Sequence, residues 1–181
     1  MTPKPTAIGI DLSTSATGVI VLEAHDDAPP VVLHEAEVKP PKGVVGMAAK
    51  RAVVTEVMLT IHAWKPKVIV VEGYSLNLKN ASSIIPLVEI GGILRFLMHL
   101  DGLAWLAPTA GQVKQFATGK GNSPKDVVMM HVYKRFGYEA RTNNLADAFA
   151  CAAIGLATIA ASPSFNQAMV KVAELVEAFT N

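Results

Sequence analysis

The sequence has one cysteine, Cys151, among its 181 residues. A single cysteine excludes an internal disulfide, and with it the small secreted folds that depend on such bonds. Cys151 lies in the apolar run Ala148–Ala153, where we expect a buried and unreactive thiol. The sequence therefore favours a reducing cytoplasmic setting.

The sequence also lacks a large excess of charge of one sign and lacks long uninterrupted apolar runs. Sixteen basic and fifteen acidic residues give a formal net charge of +1, so the net charge does not indicate a nucleic-acid-binding protein. The two most apolar segments, 84–100 and 145–161, contain Glu89 and Arg95 or Asp147, which leaves no uncharged run of about 18 residues. Asp11 likewise interrupts the apolar N-terminal stretch. We therefore expect neither a membrane span nor an export signal.

Hydrophobic residues are abundant, at 51% of the chain, and the mean hydropathy is +0.35. This composition excludes a disordered chain, and it provides more apolar surface than one small core can bury. The length fits one globular domain better than two. We expect a single domain that forms an oligomer.

Strand and helix patterns alternate along the chain in an order typical of an α/β fold. The predicted strands are Ala7–Asp11, Val19–Leu22, Val31–Val38, Lys67–Glu72 and Leu103–Leu106. The predicted helices are an amphipathic segment from Met47 that ends before Pro66, then Asn80–Leu100, Thr109–Thr118, Pro124–Phe136, Asn144–Ala161 and Phe165–Phe179. Together they predict a mixed five-stranded sheet, an antiparallel meander plus parallel strands, flanked by helices.

Three carboxylates interrupt apolar runs. Asp11 ends the first strand, Glu72 ends the fourth, and Asp147 lies in an apolar helix. Two adjacent strand ends and a helix can bring three such groups together around two Mg²⁺ ions about 4 Å apart, as phosphodiester hydrolysis requires. The alternative is that Asp11 caps a turn, Glu72 forms an ion pair and Asp147 occupies the first turn of its helix.

Several short motifs follow one another along the chain in the same order as in one known protein family. They are Gly9-Ile10-Asp11 with Ser13 and Thr17-Gly18; Val71-Glu72; Gln112-Val113-Lys114-Gln115 before Gly119-Lys120-Gly121; Lys125; and Ala146-Asp147-Ala148. This pattern, over about residues 7–161, resembles the RuvC Holliday-junction resolvases. Leu12 and Ser13 depart from it, because the family commonly has Pro-Gly there.

The resemblance implies an RNase H-like fold, a homodimer, and Mg²⁺- or Mn²⁺-dependent cleavage of four-way DNA junctions. It makes Asp11, Glu72 and Asp147 metal ligands, with two ions in each active site. We expect residues 1–162 to form this nuclease domain and residues 163–181 to form a C-terminal helix packed on it.

The family's fourth ligand position, three residues before the last aspartate, is usually Asp or His, and here it is Asn144. An amide oxygen can coordinate a hard cation, but without charge. Alternatively, Asn144 caps the helix, since asparagine is a preferred N-cap residue.

Basic residues concentrate in one stretch. Residues 108–146 carry six basic and two acidic residues, a local charge of +4 against −3 for the rest of the chain. The resemblance places Lys114 and Lys125 near the cleaved strand as catalytic residues, and Lys120 lies in a glycine-flanked loop that suits a phosphate contact. The alternative is a solvated helix face.

An aromatic residue and an apolar helix complete the predicted DNA-binding unit. Tyr74 follows Glu72 where the family tends to carry an exposed aromatic, which stacks on opened bases at the crossover. Tyr74 could equally pack over the next helix. That helix, 80–100, is apolar on more than one face and is our predicted dimer interface.

Two other functions compete with a junction-cleaving nuclease. Gly9-Ile10-Asp11 through Gly18 also resembles the first phosphate loop of sugar kinases and actin, which are nucleotide-binding phosphotransferases. Those proteins enclose the nucleotide between two lobes, and this chain is long enough for one. The uncharged Asn144 motivates the other alternative, a junction-binding protein with weak or no cleavage.

Overall fold

The structure, a computed structural model, describes residues 4–74, 81–176 and 178–179. The strands are β1 (Thr6–Asp11), β2 (Thr17–Glu23), β3 (Val31–Val38), β4 (Val68–Val71), β5 (Trp105–Leu106) and β6 (Ala178–Phe179). The helices are α1 (Gly46–Trp64), α2 (Ala81–Leu100), α3 (Ala110–Thr118), α4 (Lys125–Phe136), α5 (Asn143–Ile159) and α6 (Gln167–Glu174). The predicted start of the second helix, Asn80, lies outside the described residues.

The strands form one mixed sheet in the order β3-β2-β1-β4-β5-β6. β1, β2 and β3 form the predicted antiparallel meander, whereas β4 runs parallel to β1 and β5 runs parallel to β4. The predicted α/β class and mixed sheet are therefore confirmed.

Two details of the prediction are wrong, and both concern the C-terminal segment. The sheet has a sixth strand, β6, antiparallel to β5, and the helix predicted over Phe165–Phe179 ends at Glu174. The ring of Phe179 stacks on Trp105 with centroids 5.6 Å apart and planes 9° from parallel. Phe179 thus contributes to the edge of the sheet instead of continuing a helical stripe.

The sheet separates two apolar layers, because successive side chains of a strand point to opposite faces. In β1, Ile8 and Ile10 belong to the layer that contains α1 and α2. Ala7 belongs to the opposite layer, formed mainly by α3, α4, α5 and α6. Asp11 has the same parity as Ala7 and so points to the α5 side of the sheet.

Helix α5 approaches the sheet very closely, because small residues line the contact. A Cβ built on Gly9 of β1 would lie 2.0 Å from the carbonyl oxygen of Ala148, and one on Gly18 of β2 would lie 2.3 Å from that of Asn144. On the helix, a Cβ on Gly155 would lie 2.8 Å from Val70. These contacts set a short distance between the backbone of α5 and the sheet.

No helix in the described part of the chain is both long enough and apolar enough to cross a bilayer.

Candidate active site

Asp11 and Glu72 lie side by side at the carboxyl edge of the sheet. Ile10 pairs with Val71 in the parallel β1–β4 ladder, and the N–H of Glu72 continues that ladder by donating to the carbonyl of Ile10 at 3.0 Å. The parallel register therefore carries both carboxylates to one place, as predicted from the strand ends.

Asp147 reaches the same place from the first turns of α5, whose close contact with β1 lowers the helix onto the strand ends. One carboxylate oxygen from each of Asp11, Glu72 and Asp147 lies within 4.8 Å of the others. Asp147 is only 6% exposed, and Glu72 is half-buried. The structure thus brings together the three acids that the sequence singled out.

Burial and mutual repulsion make this cluster costly to ionise without a cation. Burial, followed by the charges of Glu72 and Asp147, raises the pKa of Asp11 well above its ordinary value. Burial and the charge of Asp147 raise the pKa of Glu72 to about 7, even though a hydrogen bond from Asp11 opposes the rise. Burial also raises the pKa of Asp147. Three converging carboxylates with raised pKa values form a donor set that suits hard divalent cations.

Two predicted lysines lie beside this cluster. The Lys125 Nζ atom, at the start of α4, is 3.5 Å from an Asp147 carboxylate oxygen. The positive charges of Lys125 and of Lys114 in α3 lower the pKa values of Glu72 and Asp147 against the effect of burial. Lys120 is exposed in the loop between α3 and α4.

Asn144 does not cap α5, so the capping alternative is wrong. The cap is Thr142, whose hydroxyl oxygen accepts the N–H of Leu145 at 3.3 Å. The Asn144 amide instead donates to the carbonyl of Ala16, in the turn between β1 and β2, at 2.7 Å. Asn144 therefore ties α5 to the turn that follows Asp11, and it lies one helical turn before Asp147.

Tyr74 packs over α2, which was one of the two arrangements we considered. Its hydroxyl donates to the carbonyl of Val88 at 3.2 Å and accepts from Arg95 Nη1 at 2.8 Å. Tyr74 also lines a cavity of about 80 Å³ together with Asp11 and Glu72. Tyr74 thus lies beside two of the three carboxylates, Asp11 and Glu72. The rest of the predicted loop, 75–77, lies outside the described residues.

Arg95 is the site residue that the sequence analysis did not assign. Its guanidinium carbon lies 4.5 Å from the centroid of the Tyr74 ring, and Nη2 donates to the carbonyl of Glu72 at 3.3 Å. Burial lowers the pKa of Arg95 from its ordinary value. The available signal was a lone cation in an otherwise apolar stretch of helix.

A comparison with protein-family models identifies a family. The model for the crossover junction endodeoxyribonuclease RuvC matches residues 7–155, which include all three carboxylates. No curated protein sequence matches the chain.

Solved structures share the fold. Thermus thermophilus RuvC in complex with a Holliday junction substrate is 24% identical, with a TM-score of 0.65 over 82% of this chain and 90% of that chain. A second T. thermophilus RuvC structure is 22% identical, with a TM-score of 0.66 over 81% and 90%. The yeast mitochondrial Holliday junction resolvase Ydc2 is 13% identical, with a TM-score of 0.60 over 95% and 82%. These likenesses confirm the predicted RNase H-like architecture.

Proposed function

Because the chain belongs to the RuvC family of crossover junction endodeoxyribonucleases, we propose that it cleaves four-way DNA junctions by metal-dependent phosphodiester hydrolysis. The observation that carries this proposal is the convergence of Asp11, Glu72 and Asp147, whose carboxylate oxygens lie within 4.8 Å of one another. Cleavage of other branched DNA by the same three carboxylates belongs to the same proposal.

The three carboxylates are the metal ligands in this proposal, and Mg²⁺ or Mn²⁺ is the metal. Such ions, bound as a pair, would activate a water molecule and stabilise the leaving oxygen of the cleaved strand. Asn144 is a neutral fourth ligand, one helical turn from Asp147. Because an amide oxygen carries no charge, one of the two ions binds more weakly here than it would beside a fourth carboxylate.

Lys114 and Lys125 are catalytic residues in this proposal, since their ammonium groups can contact the phosphate that reacts. The 3.5 Å separation between Lys125 Nζ and Asp147 supports this position for Lys125. Lys120, exposed in the loop between α3 and α4, binds a phosphate farther along the strand. Gly119 supports that loop because its φ of 84° is favourable for glycine. Contacts of this kind supply affinity independent of base sequence.

The Tyr74 ring, beside the carboxylates, stacks on an unpaired base at the crossover. Stacking of this kind contributes about 1–3 kcal/mol for each base. Because Arg95 lies over one face of the ring, the base would stack on the other face while Tyr74 remains packed on α2.

A homodimer would place two such sites on one junction. Large apolar side chains are exposed along α2: Ile85, Val88, Phe96 and Leu100 are 62, 41, 59 and 62% exposed. Burying them against a second copy would remove this surface from water.

We assign residues 1–162 to the nuclease domain, with residues 163–181 packed on it; α6 contributes Met169 and Val172 to the α5-side layer.

The experiment that tests the proposal is cleavage of a synthetic four-way junction, beside duplex, flap and Y-shaped DNA, with Mg²⁺, with Mn²⁺ and with neither. We expect paired nicks in the junction only when a divalent metal is present. Asp11→Asn, Glu72→Gln and Asp147→Asn should each abolish nicking while junction binding remains. Glu56→Gln, which changes an exposed carboxylate on α1, is the matched control and should cleave normally.

Binding of the junction without nicking under any metal condition would reject the enzyme and favour a junction-binding protein. Tight ATP binding without affinity for branched DNA would instead favour a phosphotransferase.

A further inference from the structure

Arg95 is a half-buried cation that no acid balances within the described residues. None of the ion pairs in that part of the chain includes it. Its contacts are the hydroxyl and ring face of Tyr74 and the main-chain carbonyl of Glu72. Withdrawing an unpaired guanidinium from water costs free energy, so these contacts must compensate for it.

The contacts span the turn that leaves β4. Nη2 holds the carbonyl of Glu72 at 3.3 Å, while Nη1 holds the hydroxyl of Tyr74, two residues later, at 2.8 Å. A planar guanidinium can make both bonds from one rigid fork, whereas a lysine ammonium is a point charge. Arg95 thus connects a proposed metal ligand to the adjacent wall of the site.

Gly91 provides the space for this arrangement. A Cβ there would lie 2.4 Å from the Tyr74 hydroxyl and 2.5 Å from Arg95 Nη1. The neighbouring Gly92 has no atom within 4 Å of its virtual Cβ. The arginine and the tyrosine therefore occupy the volume that a side chain at position 91 would fill.

We propose that Arg95 is a positioning residue, which fixes the Glu72–Tyr74 segment so that the Glu72 carboxylate is preorganised for a divalent cation. This inference rests on the proposed function for its metal, but it concerns the cation affinity of the site and not the DNA that is cut. Residues that orient metal ligands typically change metal affinity or activity about 10- to 100-fold when removed.

The test measures Mn²⁺ binding directly, by calorimetry on the full chain without DNA, and the Mn²⁺ concentration that gives half-maximal junction cleavage. Arg95→Met should weaken Mn²⁺ binding and raise that concentration about tenfold, while metal-free junction affinity changes less than about twofold. Arg95→Lys keeps the charge but not the fork, so it should behave like Arg95→Met. Arg51→Met removes an exposed cation on α1 and should change neither quantity.

Two further variants test the route through Tyr74. Tyr74→Phe keeps the ring and loses the hydroxyl, so its effect should not add to that of Arg95→Met in the double variant. Gly91→Ala keeps both partners but displaces their ends, and it should reproduce the loss of Mn²⁺ affinity without lowering helix propensity. It therefore tests the arrangement even if Arg95→Met folds poorly.

Unchanged Mn²⁺ binding in Arg95→Met and Gly91→Ala would overturn the inference. So would weaker junction binding at unchanged Mn²⁺ affinity, restored by Arg95→Lys, because Arg95 would then be a charge contact to DNA. If the wild type binds Mn²⁺ in an Arg95-dependent way but cuts no branched DNA, the proposed function fails while the inference stands.

Discussion

Gly9 lies directly beneath Ala148, so close that a Cβ on the glycine would be 2.0 Å from the alanine carbonyl oxygen and 2.3 Å from the N of Ala152. Both neighbours are main-chain atoms of α5, which cannot move aside as a flexible side chain can. The helix that carries Asp147 is therefore in backbone contact with the strand that carries Asp11.

Gly9→Ala should push α5 away from the sheet and lower the free energy of unfolding by about 3 kcal/mol, because overpacking a rigid contact is destabilising. Urea denaturation measures this change. Gly111→Ala in α3 is the control, since its Cβ would have ordinary contacts at 3.8 and 3.9 Å; it should be neutral or stabilising by up to about 1 kcal/mol. Equal stability of the two variants would contradict the close contact.

The carboxylate cluster predicts how the stability of the metal-free protein depends on pH. The pKa of Glu72 rises from 4.5 to about 7 on folding, and that of Asp11 also rises. Between about pH 4.5 and 7 the folded state therefore holds protons that the unfolded state has released. The stabilisation that these protons give the folded state is fully present below about pH 4.5 and is lost as they dissociate. Stability should fall as pH increases through about 7.

Urea unfolding in EDTA across this pH range measures the effect. Glu72→Gln should flatten the decline, whereas Glu56→Gln should leave it unchanged. Adding Mn²⁺ at high pH should restore stability, since the ion binds the ionised carboxylates of the folded state. A wild-type protein whose metal-free stability rises steadily with pH would contradict the raised pKa values of the carboxylate cluster.

Asn144→Asp exchanges a hydrogen bond for a charge. The carboxylate cannot donate to the carbonyl of Ala16, as the amide does at 2.7 Å, so stability should decrease by about 1–3 kcal/mol. If position 144 faces the metal, the added charge should also lower the Mn²⁺ concentration needed for half-maximal cleavage. If stability decreases but the metal titration is unchanged, Asn144 has a structural role, which is to connect α5 to the β1–β2 turn, and is not a metal ligand.

Salt should weaken junction binding steeply, because Lys114, Lys120 and Lys125 displace counterions from DNA phosphates. Replacing any one of them by alanine should reduce the slope of log affinity against log salt concentration by about 1. Gel-shift titrations at several salt concentrations, without divalent metal, measure that slope. Lys42→Ala, in the exposed loop before α1, should keep the wild-type slope, and an equal reduction there would remove the distinction between this basic stretch and the rest of the surface.

The three carboxylates could be found from sequence because each is a charge in an apolar run, and because parallel strand ends meet at one edge. The meander was predictable for a similar reason, since its strands are long and bounded by turn residues. Strand β6 was not, because two residues carry no periodicity and its pairing with β5 depends on contacts distant in sequence.

Arg95 and Asn144 show where local patterns stop being informative. The partners of Arg95 lie more than twenty residues away, on a segment that folds back over α2. Asn144 is typical of a helix start, yet Thr142 is the cap and the amide reaches back to Ala16, 128 residues earlier. Both roles are set by tertiary contacts that the residue type alone does not indicate.

The contact of α5 with the sheet through Gly9, Gly18 and Gly155 also limits how this protein can be altered. A designer who wants a different branched substrate has little freedom on α5, because larger side chains there would shift the carboxylates before they changed any contact with DNA. The loop between α3 and α4 is exposed except at Ser123, and it carries no site carboxylate. Variation in substrate preference is therefore best sought at the exposed positions of that loop other than Lys120, where substitutions leave the three carboxylates in place.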